Sequence, residues 1–97
     1  MKQITPQQLK EWMDTGREHM LIDVREPWEH EAYSIGGQLI PMGSLAAAIG
    51  SIPRDKDVVL YCEKGIRSVV AIQRLETAGF SNLINLSGGM KAWREVQ

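Results

Sequence analysis

The run Val58-Val59-Leu60-Tyr61-Cys62-Glu63-Lys64-Gly65-Ile66-Arg67-Ser68 narrows the folds open to this chain more than any other stretch. Its first four residues are apolar and rich in β-branched and aromatic types, so they read as a buried strand that runs directly into the only cysteine. A loop with one glycine and one arginine follows, and Ser68 opens a helix. A buried strand that hands over at once to a helix is half of a parallel crossover unit. The same turn aims backbone N–H groups and the positive end of a helix dipole at the thiol, which favours thiolate over thiol. Cys62 therefore reads as a nucleophile that the rest of the chain positions.

The remaining sequence repeats this alternation. Thr5-Pro6-Gln7-Gln8 has the pattern of a capping box with proline at the first helical position, Leu9, Trp12 and Met13 share a face, and Gly16 ends the helix. Met20 to Val24 is an apolar run that delivers Asp23, Arg25 and Glu26 to the rim of a sheet. Pro27 to Tyr33 predicts a short helix with Trp28 as its apolar anchor, Gln38 to Ile40 a brief strand stopped by Pro41, and Ser44 to Ile49 a helical turn or two. After the cysteine loop, Val69, Ile72 and Leu75 recur at helical spacing up to Ala78-Gly79. Leu83 to Leu86 reads as a further strand, and Met90 to Val96 as a final helix with Trp93 facing inward. The pattern predicts an α/β fold, a three-layer α/β/α sandwich around a small, mostly parallel sheet with right-handed crossovers. Ninety-seven residues fit a single domain over 1–97 and leave no room for a second core. In such sheets ligands bind beyond the carboxyl ends of the strands, which is where Arg25 and Cys62 fall.

Composition excludes several classes. A net charge of −1, with no run of like charges, argues against nucleic acid as a partner, and no segment is apolar enough to span a bilayer. One cysteine rules out an internal disulfide, and His19 and His30 lack paired metal-ligand spacing with Cys62, so no metal site is expected. Without an apolar leader the chain reads as cytoplasmic, unless a signal peptide has been removed from it.

A lone cysteine at a strand end is more often a buried small hydrophobe than a nucleophile. An inert cysteine, however, would not need Gly65, the flanking cations Lys64 and Arg67 and a helix start immediately after it. Here the sequence resembles the rhodanese family of sulfurtransferases. Three segments carry the likeness: Asp23-Val24-Arg25-Glu26 with Glu29 following, Cys62 to Ser68, and Gly88-Gly89-Met90-Lys91-Ala92-Trp93. The resemblance implies that Cys62 takes a sulfane sulfur from a donor such as thiosulfate, a polysulfide or a persulfide and passes it to cyanide or a thiol. The N–H groups of Glu63, Lys64, Gly65, Ile66, Arg67 and Ser68 would cradle the terminal sulfur, and no metal or organic cofactor is called for. A sulfur-relay protein is a further candidate partner, which leaves open a carrier module loaded by another protein, or a redox or arsenate-handling thiol enzyme. Phosphatases related to this fold place five residues between cysteine and arginine, whereas four lie between Cys62 and Arg67, a tighter cradle that suits one sulfur atom better than phosphate. The chain departs from the family at Tyr33-Ser34-Ile35-Gly36-Gly37-Gln38, one residue short before Pro41 and without the usual Gly-His-Ile-Pro-Gly-Ala.

Among the other charged residues, Arg67 either orients a donor sulfonate or, in the favoured reading, pairs with Glu29 or Asp23 to brace the loop. Asp23 and Arg25 read as a second bracing pair at the rim. Lys64 is the better candidate for attracting an anionic donor, and Glu63 opposes anion binding. Trp12 and Trp93 are assigned to the core, Trp28 to core or rim packing, His19 and His30 to the surface, and Met20, Met42 and Met90 to gap filling.

Overall fold

In the computed structural model, which describes residues 1–96, the strands are β1 (Lys2–Ile4), β2 (Met20–Asp23), β3 (Gln38–Leu39), β4 (Val58–Tyr61) and β5 (Leu83–Leu86). They lie in the order β1-β5-β4-β2-β3, and every pairing is parallel. β4 is central, with Val58 to Tyr61 in register with Met20 to Asp23 of β2 on one side. On its other side Val58 to Leu60 face Leu83 to Asn85 of β5. A strand covered on both faces needs apolar side chains in both directions, and all four residues of β4 are buried.

Alternation along β4 sorts the core into two layers. Val58, Leu60 and Cys62 point to the face covered by Leu45 of α3 (Leu45–Ala48) and by Ala71, Ile72 and Leu75 of α4 (Arg67–Thr77). Val59 and Tyr61 point the opposite way, toward Leu9 of α1 (Pro6–Thr15) and Met90 and Trp93 of α5 (Gly89–Glu95). The three-layer α/β/α arrangement follows directly from that pattern. α2 (Pro27–Ala32) buries none of its residues and stands at the carboxyl end of β2.

Local signals explain the boundaries. α1 begins with the predicted capping box, Thr5 Oγ1 accepting from Gln8 N–H and Gln8 Oε1 from Thr5 N–H, and ends at left-handed Gly16. Ser44 to Ile49 becomes the short α3 flanked by 3-10 turns over Met42–Ser44 and Ile49–Ser51. β1 escapes a reading by pattern, because Lys2 and Gln3 are polar and exposed and only Ile4 is buried. Its pairing partner β5 holds it in the sheet.

Four assignments need correction. Trp28 does not anchor α2, for it is 70% exposed on a helix with no buried face. His30 is not a free surface residue, since its ring reaches back to Asp23, and His19 packs against the half-buried Trp12 with ring centroids 5.8 Å apart. Trp12 itself is only partly buried, whereas Trp93 lies in the core as expected. Among the described residues no helix is long and apolar enough to cross a membrane.

Candidate active site

Cys62 follows the last residue of β4, where the alternation of the strand turns its side chain into the core beneath α4, and it is 1% exposed. The loop beyond it doubles back because Gly65 takes a left-handed φ of +84°. That conformation carries the N–H of Gly65 to 3.1 Å from Cys62 Sγ, and the N–H of Ser68 in the first turn of α4 lies 3.4 Å away. A Cβ at position 65 would also stand 3.1 Å from the backbone nitrogen of Gly88, so glycine is required by conformation and by space. Of the donors expected from residues 63 to 68, those of Gly65 and Ser68 are the ones directed at the sulfur, and both stabilise negative charge there. α4 begins at Arg67, one residue before the Ser68 start expected from the sequence, so Ser68 lies inside its first turn. The Ser68 hydroxyl is buried and lies 3.4 Å from Cys62 Sγ.

The loop is held from below by α5. The N–H of Met90 donates to the Cys62 carbonyl and that of Lys91 to the Glu63 carbonyl, each at 2.9 Å. Such close approach requires Gly89, whose φ is +58° and whose Cβ, if present, would lie 2.4 Å from the Cys62 carbonyl oxygen. The Gly88-Gly89 segment thus serves the cysteine loop directly.

Charged residues around the opening are mostly paired. Arg67 binds Glu29 through both ends of its guanidinium at 2.8 and 2.9 Å, one of the two pairings expected from the sequence. These hydrogen bonds pull the Glu29 carboxyl down from 4.5 to about 2. Glu63 is bound by Arg94 of α5, with Arg25 Nη1 at 3.6 Å, and the bond from Arg94 holds its carboxyl below the ordinary value. Lys64 is exposed and makes no ion pair among the described residues, leaving its charge available to an approaching anion.

Asp23 and Arg25 form a pair at the carboxyl edge of the sheet, and the pair is buried rather than exposed to water. They are 0% and 2% exposed, and Arg25 Nε and Nη2 donate to the two carboxylate oxygens at 2.9 Å each. His30 Nδ1 lies 2.9 Å from Asp23 Oδ2. Burial pushes the Asp23 carboxyl up, and the hydrogen bonds from Arg25 and His30 outweigh it, leaving the group below its usual range. Arg25 also donates to the Tyr33 carbonyl at 2.6 Å, and Tyr61 hydroxyl to the Gly36 carbonyl at 2.9 Å. Those two bonds fix the path of the 33–41 segment where it departs from the family pattern. Burial raises the Tyr61 phenol above its ordinary value, so it remains a donor.

Asn85, which the sequence reading passed over, completes the site from β5. It is 3% exposed, accepts the hydroxyl proton of Ser68 on Oδ1, and donates through Nδ2 to Gln3 Oε1 at 2.9 Å and to the Gly65 carbonyl at 3.4 Å. A polar residue in the otherwise apolar run Leu83-Ile84-Asn85-Leu86 was the available signal. The Cys62 loop opens onto a depression of about 330 Å³ lined by Cys62, Glu63, Lys64, Ile66 and Arg67, with Ile66 68% exposed at its edge. A neighbouring depression of about 290 Å³ is lined by Arg25, Trp28, Glu29, Tyr33, Glu63 and Arg94, among others. No group of three or more histidine, cysteine or acidic side chains suited to a metal ion occurs among the described residues.

Comparison with known proteins agrees with this architecture. The "Probable adenylyltransferase/sulfurtransferase MoeZ" of Mycobacterium tuberculosis is 44% identical over 93 residues, which are 93% of this chain but only 24% of that protein. The chain thus spans about a quarter of that relative's length. A "Sulfurtransferase" of Allochromatium vinosum is 33% identical over 96% of this chain and 88% of its own. The human single-domain sulfurtransferase TSTD1 superposes with a TM-score of 0.86 at 25% identity, covering 100% of this chain and 98% of that one. The rhodanese-like domain model matches residues 5–96. With a parallel sheet, a cysteine loop at its carboxyl edge and those matches in hand, the chain belongs to the rhodanese-like domain family.

Proposed function

We propose that this protein moves sulfane sulfur from a small donor, thiosulfate or a polysulfide or persulfide, to cyanide or a thiol through a persulfide on Cys62. The placement of Cys62 Sγ carries this reading, with two backbone N–H groups directed at it at the floor of a small depression. In the first displacement the Cys62 thiolate attacks the outer sulfur of thiosulfate, forming an S–S bond, and sulfite leaves with the electron pair of the old one. In the second, an acceptor nucleophile attacks the outer sulfur of the persulfide, and the Cys62 thiolate is released. The Gly65 and Ser68 N–H groups offset the negative charge on Cys62 Sγ before the first displacement and after the second, and between the two the charge rests on the outer sulfur of the persulfide. Lys64 offers a charge for the incoming anion. Arg67 and Glu63, each already paired, hold the shape of the opening and are proposed as structural members of the site rather than as donor ligands.

A second reading has specific support: the chain covers a quarter of a relative whose name joins adenylyltransferase and sulfurtransferase activities. Here the module receives its sulfur from a partner protein and turns over thiosulfate poorly. Steady-state thiocyanate formation from cyanide separates the two. Turnover on thiosulfate or polysulfide that vanishes in Cys62→Ser supports the enzyme. No turnover on either donor, with wild type and Cys62→Ser indistinguishable, would contradict it.

A further inference from the structure

The buried hydroxyl of Ser68 has one proton and two neighbours able to take it. Asn85 Nδ2 faces the Gly65 carbonyl, which can only accept, so Oδ1 is the atom turned toward Ser68 and the hydroxyl must donate to it. Gln3 Oε1 at 2.9 Å from Nδ2 holds the amide in the same orientation. With its proton committed to Asn85, Ser68 Oγ presents lone pairs to Cys62 Sγ at 3.4 Å, an arrangement matched to an S–H that donates. Once the sulfur ionises it can only accept. The thiolate and Asn85 then compete for a single proton: if Asn85 loses it, Oδ1 is left buried without that donor, and if the sulfur loses it, the charge rests on the Gly65 and Ser68 N–H groups alone.

We infer that Asn85 is a positioning residue that sets the readiness of Cys62 to ionise by holding the Ser68 hydroxyl proton away from the sulfur. It rests on Cys62 being the nucleophile of the proposed transfer, and deepens that reading. Ionisation of the resting thiol is accompanied by rotation of the Ser68 hydroxyl from Asn85 Oδ1 to sulfur, a charge-assisted bond replacing a neutral one.

Other charged groups near Cys62 are accounted for and stay constant in the test. Glu63, Lys64 and Arg67 lie on the loop itself, Arg67 bound to Glu29 of α2 and Glu63 to Arg94 of α5. Asp23 at the end of β2 and Arg25 just beyond it neutralise one another. None contacts Asn85 or the Ser68 hydroxyl, so replacing Asn85 by a neutral residue leaves their field unchanged.

The test is the pH profile of Cys62 alkylation by iodoacetamide in four proteins: wild type, Asn85→Leu, Ser68→Ala and the double variant. Freed from Asn85, the Ser68 proton serves the sulfur. The thiolate fraction below the midpoint rises about fivefold, an acid shift of about 0.7 pH unit in Asn85→Leu. In the Ser68→Ala background the same substitution should shift nothing, because no proton remains to redirect. Equal shifts in both backgrounds, no shift, or a shift to higher pH would overturn the inference, since a purely structural Asn85 would act with or without the hydroxyl. Should circular dichroism show Asn85→Leu unfolded, Asn85→Ser, too short to reach Ser68, carries the same comparison. Alkylation reads the thiol alone, so a wild-type protein that takes no sulfur from thiosulfate would remove the transfer reading while this comparison still gave its answer.

Discussion

Arg67 stands at the first position of α4 with both ends of its guanidinium on the Glu29 carboxylate, and that pair ties α2 to the cysteine loop. Because Glu29 is held near 2 in the folded protein against 4.5 unfolded, the pair's stabilisation is complete above pH 4.5 and is lost as pH falls toward 2. Glu29→Gln should cost about 1 kcal/mol at neutral pH, the modest value of a partly exposed pair. Urea unfolding at falling pH should show the gap between variant and wild type closing below pH 4.5, and a gap that stays constant would contradict it. Asp23 differs in kind, since its partner Arg25 is buried. Asp23→Asn removes the buried counter-charge of Arg25, leaving only the 3.6 Å contact with Glu63, and should cost about 3 kcal/mol in chemical unfolding, against well under that for an exposed pair. These contrasts mark what single residues disclose: charge type and spacing pointed to both pairs, but whether a pair lies in water or in the core is decided by residues distant in sequence. Asn85 went unread for that reason, being one polar letter in an apolar strand until β5 is set beside the loop.

Among the elements, the β4–loop–α4 unit was legible because its signals are local: four buried residues, a glycine at left-handed φ and a helix start. α5 contributes through contacts that no local pattern announces, its first N–H groups bonding the carbonyls of Cys62 and Glu63. Gly89→Ala would drive a Cβ to 2.4 Å from the Cys62 carbonyl, so α5 and the loop must separate. A loss of about 2–3 kcal/mol and a changed Cys62 alkylation rate are expected. Gly16→Ala is the control, with φ of +73° but open space around the added methyl. It should cost about 1 kcal/mol and leave the alkylation rate as it was. Equal effects of the two variants on that rate would deny α5 its supporting role. β1 lay hidden because only one of its three residues is buried and its identity comes from pairing with β5.

For the molecule as a whole, placing β4 between β2 and β5 gathers at one sheet edge the residues that the chain holds far apart. Asp23 and Arg25 arrive from β2, Cys62 from β4, and Asn85 from within β5. The alternation of strands and helices foretold this convergence, and the three motif segments meet where parallel sheets place their ligands. The core beneath serves to hold that edge. Leu60→Ala at the sheet centre should therefore cost about 2–5 kcal/mol in unfolding while the folded fraction keeps its reactivity at Cys62. The most direct measurement is intact mass spectrometry after incubation with thiosulfate, and separately with polysulfide. A gain of about 32 Da located on Cys62, absent from Cys62→Ser and reversed by cyanide, is the predicted result. A folded protein whose mass is unchanged by either donor, or whose added sulfur survives the loss of Cys62, would contradict a persulfide at this site.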